Sequence, residues 1–228
     1  MASLSGKTIV VTGALGVLGR AVAGAAEAAG ACVAHIDHLR SEQAGELIFH
    51  GVDLTDEAAA GATMAEVARI RGGIDGLVNI AGGFVFSPVA DSPARVWENM
   101  FRLNLLTAVS ASRAAIPFLT GGGHGSIVNI GAGAAARAGA GMAPYAASKA
   151  GVARLTEALA EELAGKARVN AVLPSIIDTP TNRKDMPKAN FSTWVQAGDI
   201  ARIIVFLLSD EAWAITGAAV PVTVGRPS

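Results

Sequence analysis

The chain has 228 residues, of which 51% are hydrophobic and 16% are charged, and its net charge is −1. This composition excludes a disordered chain, and the near-zero charge predicts neither a nucleic-acid partner nor a membrane surface as partner. The single cysteine excludes an intramolecular disulfide, no Cys/His cluster indicates a metal site, and no apolar run approaches the roughly 20 residues of a membrane span, so we expect a cytoplasmic protein.

Short apolar runs alternate along the chain with longer alanine-rich stretches. We predict seven strands, at Lys7–Thr12, Ala31–Asp37, Ile48–Val52, Gly76–Asn79, Ser126–Ile130, Arg168–Leu173 and Ala218–Val222. We predict helices near Val17–Ala29, Glu57–Ile70, Pro93–Leu119, Tyr145–Leu163 and Asp199–Leu208. This alternation is typical of a parallel sheet with helices on both faces. We therefore expect one α/β domain over residues 1–228, a Rossmann-type doubly wound sheet of seven strands that binds its ligand at their carboxyl ends.

Two stretches stand outside these elements. The run Gly121–Gly125 predicts a turn between a helix and a strand. Residues 175–198 are the one long irregular stretch, and loops of that length are often lids over a site. We expect a substrate lid there.

The turn after the first strand is rich in glycine, with Gly13, Gly16 and Gly19 before and inside the first helix. Glycine lets backbone N–H groups approach a pyrophosphate at a helix N-terminus. Glycines needed only for a tight turn are the alternative, but the strand–turn–helix context favours dinucleotide binding.

Asp37 stands at the end of the second strand, 18 residues after Gly19. A carboxylate there accepts hydrogen bonds from the adenosine ribose and repels a 2′-phosphate. It therefore favours NAD as cofactor, while Arg40 and His38 nearby leave NADP open. A solvated turn residue is the alternative for Asp37.

Tyr145 and Lys149 are four residues apart at the start of a predicted helix, which places them on one face. A phenol has an ordinary pKa of about 10, and an ammonium together with a positive nicotinamide ring would lower it. The pair could then exchange a proton while hydride moves at carbon. Tyr-x-x-x-Lys alone is common by chance, although Tyr145 is the only tyrosine of the chain.

With these residues the chain resembles the short-chain dehydrogenase/reductase family over nearly its full length. The segments that carry the resemblance, in chain order, are residues 12–19, Asp53-Leu54, Asn79-Ile80-Ala81-Gly82, Asn104, Tyr145 with Lys149, residues 173–179, and Ile215-Thr216-Gly217. The residues predicted to bind the cofactor are then Gly13, Gly16, Val17, Leu18, Gly19, Asp37, Asp53, Leu54, Asn79, Ala81, Gly82, Tyr145, Lys149, Pro174, Ile177 and Thr179.

The resemblance also implies roles. Asp53 and Leu54 would meet the adenine, Asn79 would brace the central strands, and Ala81 and Gly82 would lie along the ribose. Lys149 would hold the nicotinamide ribose hydroxyls, and Ile177 and Thr179 would contact the carboxamide. Asn104 joins Tyr145 and Lys149 in the predicted catalytic set, as the anchor of a proton-relay water. Asn104 capping backbone groups in mid-helix, and Thr179-Pro180 ending a turn, are the alternatives.

The sequence departs from the family pattern at three places. Gly16 comes one position early, so that Val17 stands where the family has its middle glycine, and Ser175 replaces the glycine after Pro174. Ala132 stands in place of the catalytic serine, and no serine or threonine occurs from Ile127 to Ala147. Without the hydroxyl that polarises a carbonyl, we expect weaker chemistry on plain ketones and alcohols.

The dihydropteridine reductase branch of the family also has alanine at the serine position and the same glycine spacing. The runs 173–187 and 191–194 resemble that branch, as does the segment 81–84 with Phe84 near its substrate. Asn104, which that reductase lacks, separates the two. A quinonoid pterin needs little carbonyl polarisation, so an activated carbonyl, imine or quinonoid compound is the predicted substrate. A non-catalytic NAD(H)-binding regulatory or structural subunit is the alternative from another class.

The predicted substrate contacts are Phe84, Ala132, Met186 and Trp194. Phe191 is a further apolar wall of the lid, with Arg183 and Lys184 as polar contacts, whereas Trp97 and Trp213 are expected to pack helices. The resemblance implies a homodimer or homotetramer formed through the helices Pro93–Leu119 and Tyr145–Leu163.

Overall fold

The computed structural model describes residues 2–119 and 124–224. Its strands are β1 Thr8–Thr12, β2 Cys32–Asp37, β3 Ile48–His50, β4 Gly76–Asn79, β5 Gly125–Ile130, β6 Ala167–Pro174 and β7 Ala219–Val222. Its α-helices are α1 Val17–Ala28, α2 Glu57–Arg71, α3 Ala94–Phe101, α4 Thr107–Leu119, α5 Ala143–Glu162, α6 Pro180–Asp185 and α7 Ala197–Leu208. The predicted seven strands are confirmed, with ends that differ by at most two residues.

The seven strands form one parallel sheet in the order β3-β2-β1-β4-β5-β6-β7. The chain runs outward from β1 to β3 and then, starting beside β1 again, from β4 to β7. The winding direction therefore reverses between β1 and β4, where the loops diverge and leave a crevice for a ligand. The doubly wound Rossmann-type fold is confirmed.

Helices cover both faces of the sheet. Helices α1 and α7 pack on one face, where Val22 and Ile204 share a core with Val11 of β1. Helices α2, α4 and α5 cover the other, where Met64 and Leu159 belong to a second core. Strands β1, β4 and β5 are buried along their whole length for this reason.

The helix predicted over Pro93–Leu119 is present as one continuous helical stretch from Ala94 to Leu119, but it contains a π-helical turn that was not predicted. Between α3 and α4 the backbone widens into a π-helical turn over Arg102–Leu106. The widened turn carries Asn104, whose buried side chain bonds the backbone of Gly83 on another segment. Such turns inside helices often occur at functional sites.

Two expectations are wrong. Residues 175–198 are not irregular, because Thr179 accepts a hydrogen bond from the Asn182 amide at 3.1 Å and starts α6, followed by a 3₁₀ turn at Phe191–Thr193. Trp213 does not pack helices: it is 78% exposed, since its neighbour Ala212 occupies the buried position.

Part of the predicted glycine turn, residues 121–123, lies outside the described residues, and β5 begins at Gly125. Among the helices that the structure describes, none is both long and apolar enough to cross a membrane.

Candidate active site

The glycine turn between β1 and α1 lies at the crevice. Gly13 has a φ of +65°, and a Cβ there would stand 3.0 Å from the Ala81 nitrogen, so only glycine fits. Gly16 begins α1 without a side chain that could cap it, and the Arg20 amide is bonded to its carbonyl at 3.0 Å. The amides of Val17, Leu18 and Gly19 therefore form an N-terminal turn suited to an anion.

Thr12 joins the first strand to the segment after β4. Its hydroxyl oxygen accepts hydrogen bonds from the Ile80 amide at 3.0 Å and the Ala81 amide at 3.2 Å. Sequence reasoning did not single out Thr12 as a site residue. The signal was a hydroxyl at the end of a strand, directly before the glycine turn.

Asp37 is buried against the glycine turn. Its carboxylate accepts the amides of Leu15 and Leu39, each at 2.9 Å, and His38 Nδ1 lies 3.3 Å from it. The structure thus brings the predicted ribose acceptor to the predicted pyrophosphate turn. Each carboxylate oxygen keeps a lone pair for a further donor.

Asp53 and Leu54 follow β3 on the same edge of the sheet. Asp53 is exposed, and hydrogen bonds from the amide and hydroxyl of Thr55, both 2.8 Å, lower the pKa of its carboxyl. Leu54 is buried in the core beneath β2, so its side chain supports this edge from inside.

Asn79 links the strands β4 and β5. Its Nδ2 donates to Asn129 Oδ1 on β5 at 2.8 Å and to Ser112 Oγ at 3.0 Å. Asn129 in turn donates to Thr156 on α5 at 2.9 Å. This buried network holds β4, β5, α4 and α5 in register below the site.

Gly82 lies where Asn104 and Lys149 meet. A Cβ on Gly82 would stand 2.5 Å from Asn104 Oδ1 and 3.5 Å from Lys149 Nζ. The absence of a side chain therefore allows the segment after β4 to pack directly on two of the predicted catalytic residues.

Lys149 is only 5% exposed, and its Nζ donates to the Ile130 carbonyl at 2.7 Å. Burial lowers the pKa of its ammonium to about 8. Tyr145, one turn earlier, is half-buried, and burial raises the pKa of its phenol. From the sequence we expected the pKa of Tyr145 to be lowered, which requires a positive charge beside the phenol. In the structure Lys149 instead directs its Nζ to the Ile130 carbonyl.

Phe84 covers Tyr145. The two rings meet edge to face, with centroids 5.0 Å apart and planes at 82°, while Phe84 remains 55% exposed. An exposed aromatic ring against the phenol forms an apolar mouth to the site.

Asn104 does not bond the backbone of its own helix. Its Oδ1 accepts the Gly83 amide at 2.9 Å, and its Nδ2 donates to the Gly83 carbonyl and to Ser148 Oγ, both at 3.0 Å. The structure therefore places Asn104 beside Gly82 and Gly83 and bonds it to Ser148, which lies between Tyr145 and Lys149 on α5.

Ala132 is buried directly after β5, at the edge where Ile130 meets Lys149. Its carbonyl accepts the Ala135 amide at 3.0 Å, which begins a 3₁₀ turn over Gly133–Ala135. The side chain of Ala132 is a methyl group, so no hydroxyl is present at this position.

The segment 175–198 is tied at its base. After buried Pro174, Ile177 pairs with Val195 in a parallel bridge, and Asp178 binds Arg183 through both carboxylate oxygens, at 2.6 and 2.7 Å. These bonds, with one from Gln196, lower the pKa of Asp178 to about 2.

The lid residues differ in their exposure. Trp194 is buried and packs on Phe191, with ring centroids 4.7 Å apart, so its side chain supports the segment from within. The Arg183 guanidinium lies over the Phe191 ring, 4.7 Å from its centre, so its charge interacts with this ring. Met186 is exposed on the same segment. The structure does not bring Trp194 into the open mouth formed by Phe84.

No group of three or more His, Cys, Asp or Glu side chains suited to a metal ion occurs among residues 2–119 and 124–224.

Comparison with known proteins agrees with this geometry. The family described as short chain dehydrogenase matches residues 7–190. The chain is 32% identical to 2-(S)-hydroxypropyl-CoM dehydrogenase 3 of Xanthobacter autotrophicus, over 97% of each chain. It is 33% identical to a 3-oxoacyl-[acyl-carrier-protein] reductase of Pseudomonas aeruginosa, over 98% of each chain. A solved NAD⁺-bound xylitol dehydrogenase superposes with a TM-score of 0.87 and 26% identity, over 97% of this chain and 99% of the other.

Proposed function

Since the chain belongs to the short-chain dehydrogenase family and is an oxidoreductase of that type, we propose that it passes hydride between a nicotinamide cofactor and a small molecule, with Tyr145 as acid/base. The observation that carries this proposal is the meeting of Lys149 and Asn104 at Gly82, with Tyr145 joined to Asn104 through Ser148. It lies at the carboxyl edge of the sheet, beside a glycine turn that leaves helix amides free.

The residues present fit a dinucleotide. The amides of Val17, Leu18 and Gly19 would hold the pyrophosphate, and Asp37 would accept from the adenosine ribose. Asp53, with Leu54 supporting it from the core, would meet the adenine, and Ala81 with Gly82 would lie along the ribose. When bound, the cofactor supplies or accepts the hydride.

NAD is the proposed cofactor, because the Asp37 carboxylate stands against the turn and would repel a 2′-phosphate. The solved xylitol dehydrogenase, bound to NAD⁺, supports this choice. His38, 3.3 Å from Asp37, and Arg40 are the residues through which NADP would bind instead.

The chain's own acid/base chemistry centres on α5. Lys149, with a pKa of about 8, can hold ribose hydroxyls or share a proton within its buried pocket. Tyr145 would exchange a proton with the substrate oxygen or nitrogen, and protonated Lys149 would stabilise the phenolate. Asn104 would link this pair to a relay water, and Pro174, Ile177 and Thr179 would border the carboxamide.

Ala132 directs the choice of substrate. Since no hydroxyl is present there to polarise a carbonyl, we propose that the substrate carries an activated carbonyl, imine or quinonoid group. The relative that acts on a 3-oxoacyl thioester supports this class, because a second carbonyl lies close to the reacting one. Phe84 and Met186 would contact the apolar part of the substrate, and Trp194 would support the lid behind them.

Reduction of a quinonoid pterin is a second candidate. Ala132 and the placement of Phe84 against Tyr145 favour it. The relatives described above are named for other substrates, so this branch rests on those two residues. The alternative of another class, a non-catalytic NAD(H)-binding subunit, rests on Ala132 alone.

We also propose a symmetric dimer or tetramer. Phe101 and Leu106 are exposed on the helical stretch from α3 to α4, and they give its surface an apolar area on which a second copy could pack.

The test is turnover with NADH and a panel of quinonoid dihydropterin, activated diketones and 3-oxoacyl thioesters. We expect turnover with at least one of them, and a loss of about 100-fold or more in kcat for Tyr145→Phe. If the variant retains full turnover, Tyr145 is not the acid. If NADH binds but no compound on the panel or in a wider carbonyl screen is reduced, the non-catalytic alternative is supported.

A further inference from the structure

Ser148 lies between Tyr145 and Lys149 on α5 and is completely buried. Its hydroxyl donates to the Tyr145 carbonyl at 2.7 Å and accepts from Asn104 Nδ2 at 3.0 Å. The hydroxyl therefore joins the helical turn that carries the phenol to the π-helical turn that carries Asn104.

Asn104 extends this connection to a third segment. Its carboxamide bonds both the amide and the carbonyl of Gly83, at 2.9 and 3.0 Å. Gly83 directly precedes Phe84, whose ring packs edge-on against Tyr145. The connections thus form a closed circuit from Tyr145 through Ser148, Asn104, Gly83 and Phe84 back to Tyr145.

The start of α5 needs such a connection. Met142, at the N-cap position, makes no side-chain hydrogen bond to the helix, and Tyr145 lies in the first turn. Helix ends without a cap fray readily. Because the bonds of the circuit are buried, losing one leaves polar groups without partners, which costs more than an exposed bond would.

We propose that Ser148 is a positioning residue, which holds the first turn of α5 so that the Tyr145 phenol keeps its place beneath Phe84. The proposal rests on the proposed role of Tyr145 as acid/base. Ser148 itself donates into the protein, and its full burial keeps it from the substrate.

Ser148→Ala is the test, with Ser126→Ala as the matched control. Ser126 is also completely buried and donates its hydroxyl to a backbone carbonyl, that of Leu207 at 3.1 Å, but at the opposite edge of the sheet. Both variants lose one buried hydroxyl-to-carbonyl bond, and Ser148→Ala also loses the bond from Asn104 Nδ2, so we expect the larger loss of stability in Ser148→Ala.

Two measurements distinguish a displaced Tyr145 from a mere loss of folding stability. Because Tyr145 is the only tyrosine, tyrosinate absorbance reports its pKa without any turnover. We expect that pKa to fall toward its ordinary value of 10.0 in Ser148→Ala, since a loosened turn admits water, and to stay unchanged in Ser126→Ala. With NADH and a substrate found on the panel, we expect kcat to fall about 10-fold or more, with the KM for NADH unchanged.

Equal titration and equal kcat in the two variants would overturn the proposal. A shifted titration with no turnover even in the wild-type protein would support the positioning of Tyr145 and refute its catalytic role. If Ser148→Ala does not fold, Ser148→Cys is measured in the same way: its thiol fills the space but donates and accepts hydrogen bonds only weakly, so we expect the same direction of change in the Tyr145 pKa and in kcat. A Cys variant that titrates and turns over like the control would then count against Ser148.

Discussion

Lys149 donates its Nζ to the Ile130 carbonyl at 2.7 Å, so the one buried lysine of the site is held by the last residue of β5. The bond fixes the helix that carries Tyr145 to the strand that leads to Ala132. The neutral amine and the ammonium of Lys149 can both donate this hydrogen bond. The bond therefore does not fix the charge of Lys149, which depends on its burial.

This burial predicts a dependence of stability on pH. The folded pKa of Lys149, about 8, lies below its ordinary 10.5, a difference of roughly 3 kcal/mol. Between these values the unfolded chain binds more protons, so the free energy of unfolding should rise with pH. Urea unfolding of Lys149→Met should lack that rise, and parallel curves for the two proteins would refute the assignment.

Gly82 should not tolerate a side chain. In Gly82→Ala the new Cβ would stand 2.5 Å from Asn104 Oδ1, which must then leave Gly83. We expect kcat/KM to fall about 10-fold or more. Gly61→Ala is the control, because a Cβ there meets nothing within 4 Å on α2; it should raise the free energy of unfolding by ~0.5–1 kcal/mol and leave kcat/KM unchanged.

The pair Asp178–Arg183 should hold α6 in place. Since the pKa of Asp178 is lowered to about 2, chiefly by Arg183, the pair is intact above about pH 4 and is lost as the pH falls toward 2. Asp178→Asn should make trypsin cut several-fold faster after Arg183, Lys184 and Lys188. Asp185→Asn, on the same helix, should be cut at the wild-type rate; equal rates for both variants would contradict the prediction.

Asp37 should decide the cofactor. Asp37→Ala removes the charge that would repel a 2′-phosphate, so the ratio of kcat/KM with NADH to that with NADPH should fall about 10-fold or more. Asp56→Ala removes a helix cap from α2, away from the crevice, and should lower stability by ~1 kcal/mol without changing the ratio. A constant ratio in both would remove Asp37 from the ribose site.

Ala132 should limit chemistry on simple ketones. Ala132→Ser restores a hydroxyl after β5 and should raise kcat on an unactivated ketone about 10-fold, with a smaller change on activated substrates. Ala136→Ser, further along the same loop, should alter neither. No gain in Ala132→Ser would mean that another step limits turnover.

Much of this architecture could be predicted because it is encoded locally. Near-continuous apolar runs such as Ile9-Val10-Val11 predict buried parallel strands wherever they occur. The spacing of Tyr145 and Lys149 follows from helix geometry alone. The π-helical turn at Arg102–Leu106 could not be predicted, since it depends on the bonds between Asn104 and Gly83, which are 21 residues apart.

The amino-acid sequence by itself determined the family and the sheet, and it singled out Tyr145 and Lys149 as the predicted acid/base pair, since residue types at fixed spacing carry these. It also revealed that Ala132, which has no hydroxyl, stands at the position of the family's catalytic serine. Only the tertiary structure decided that Lys149 is bonded to Ile130, that Trp194 is buried while Trp213 is exposed, and that Ser148 joins Tyr145 to Asn104. Burial and hydrogen bonding depend on which distant segments meet, and no local pattern specifies that.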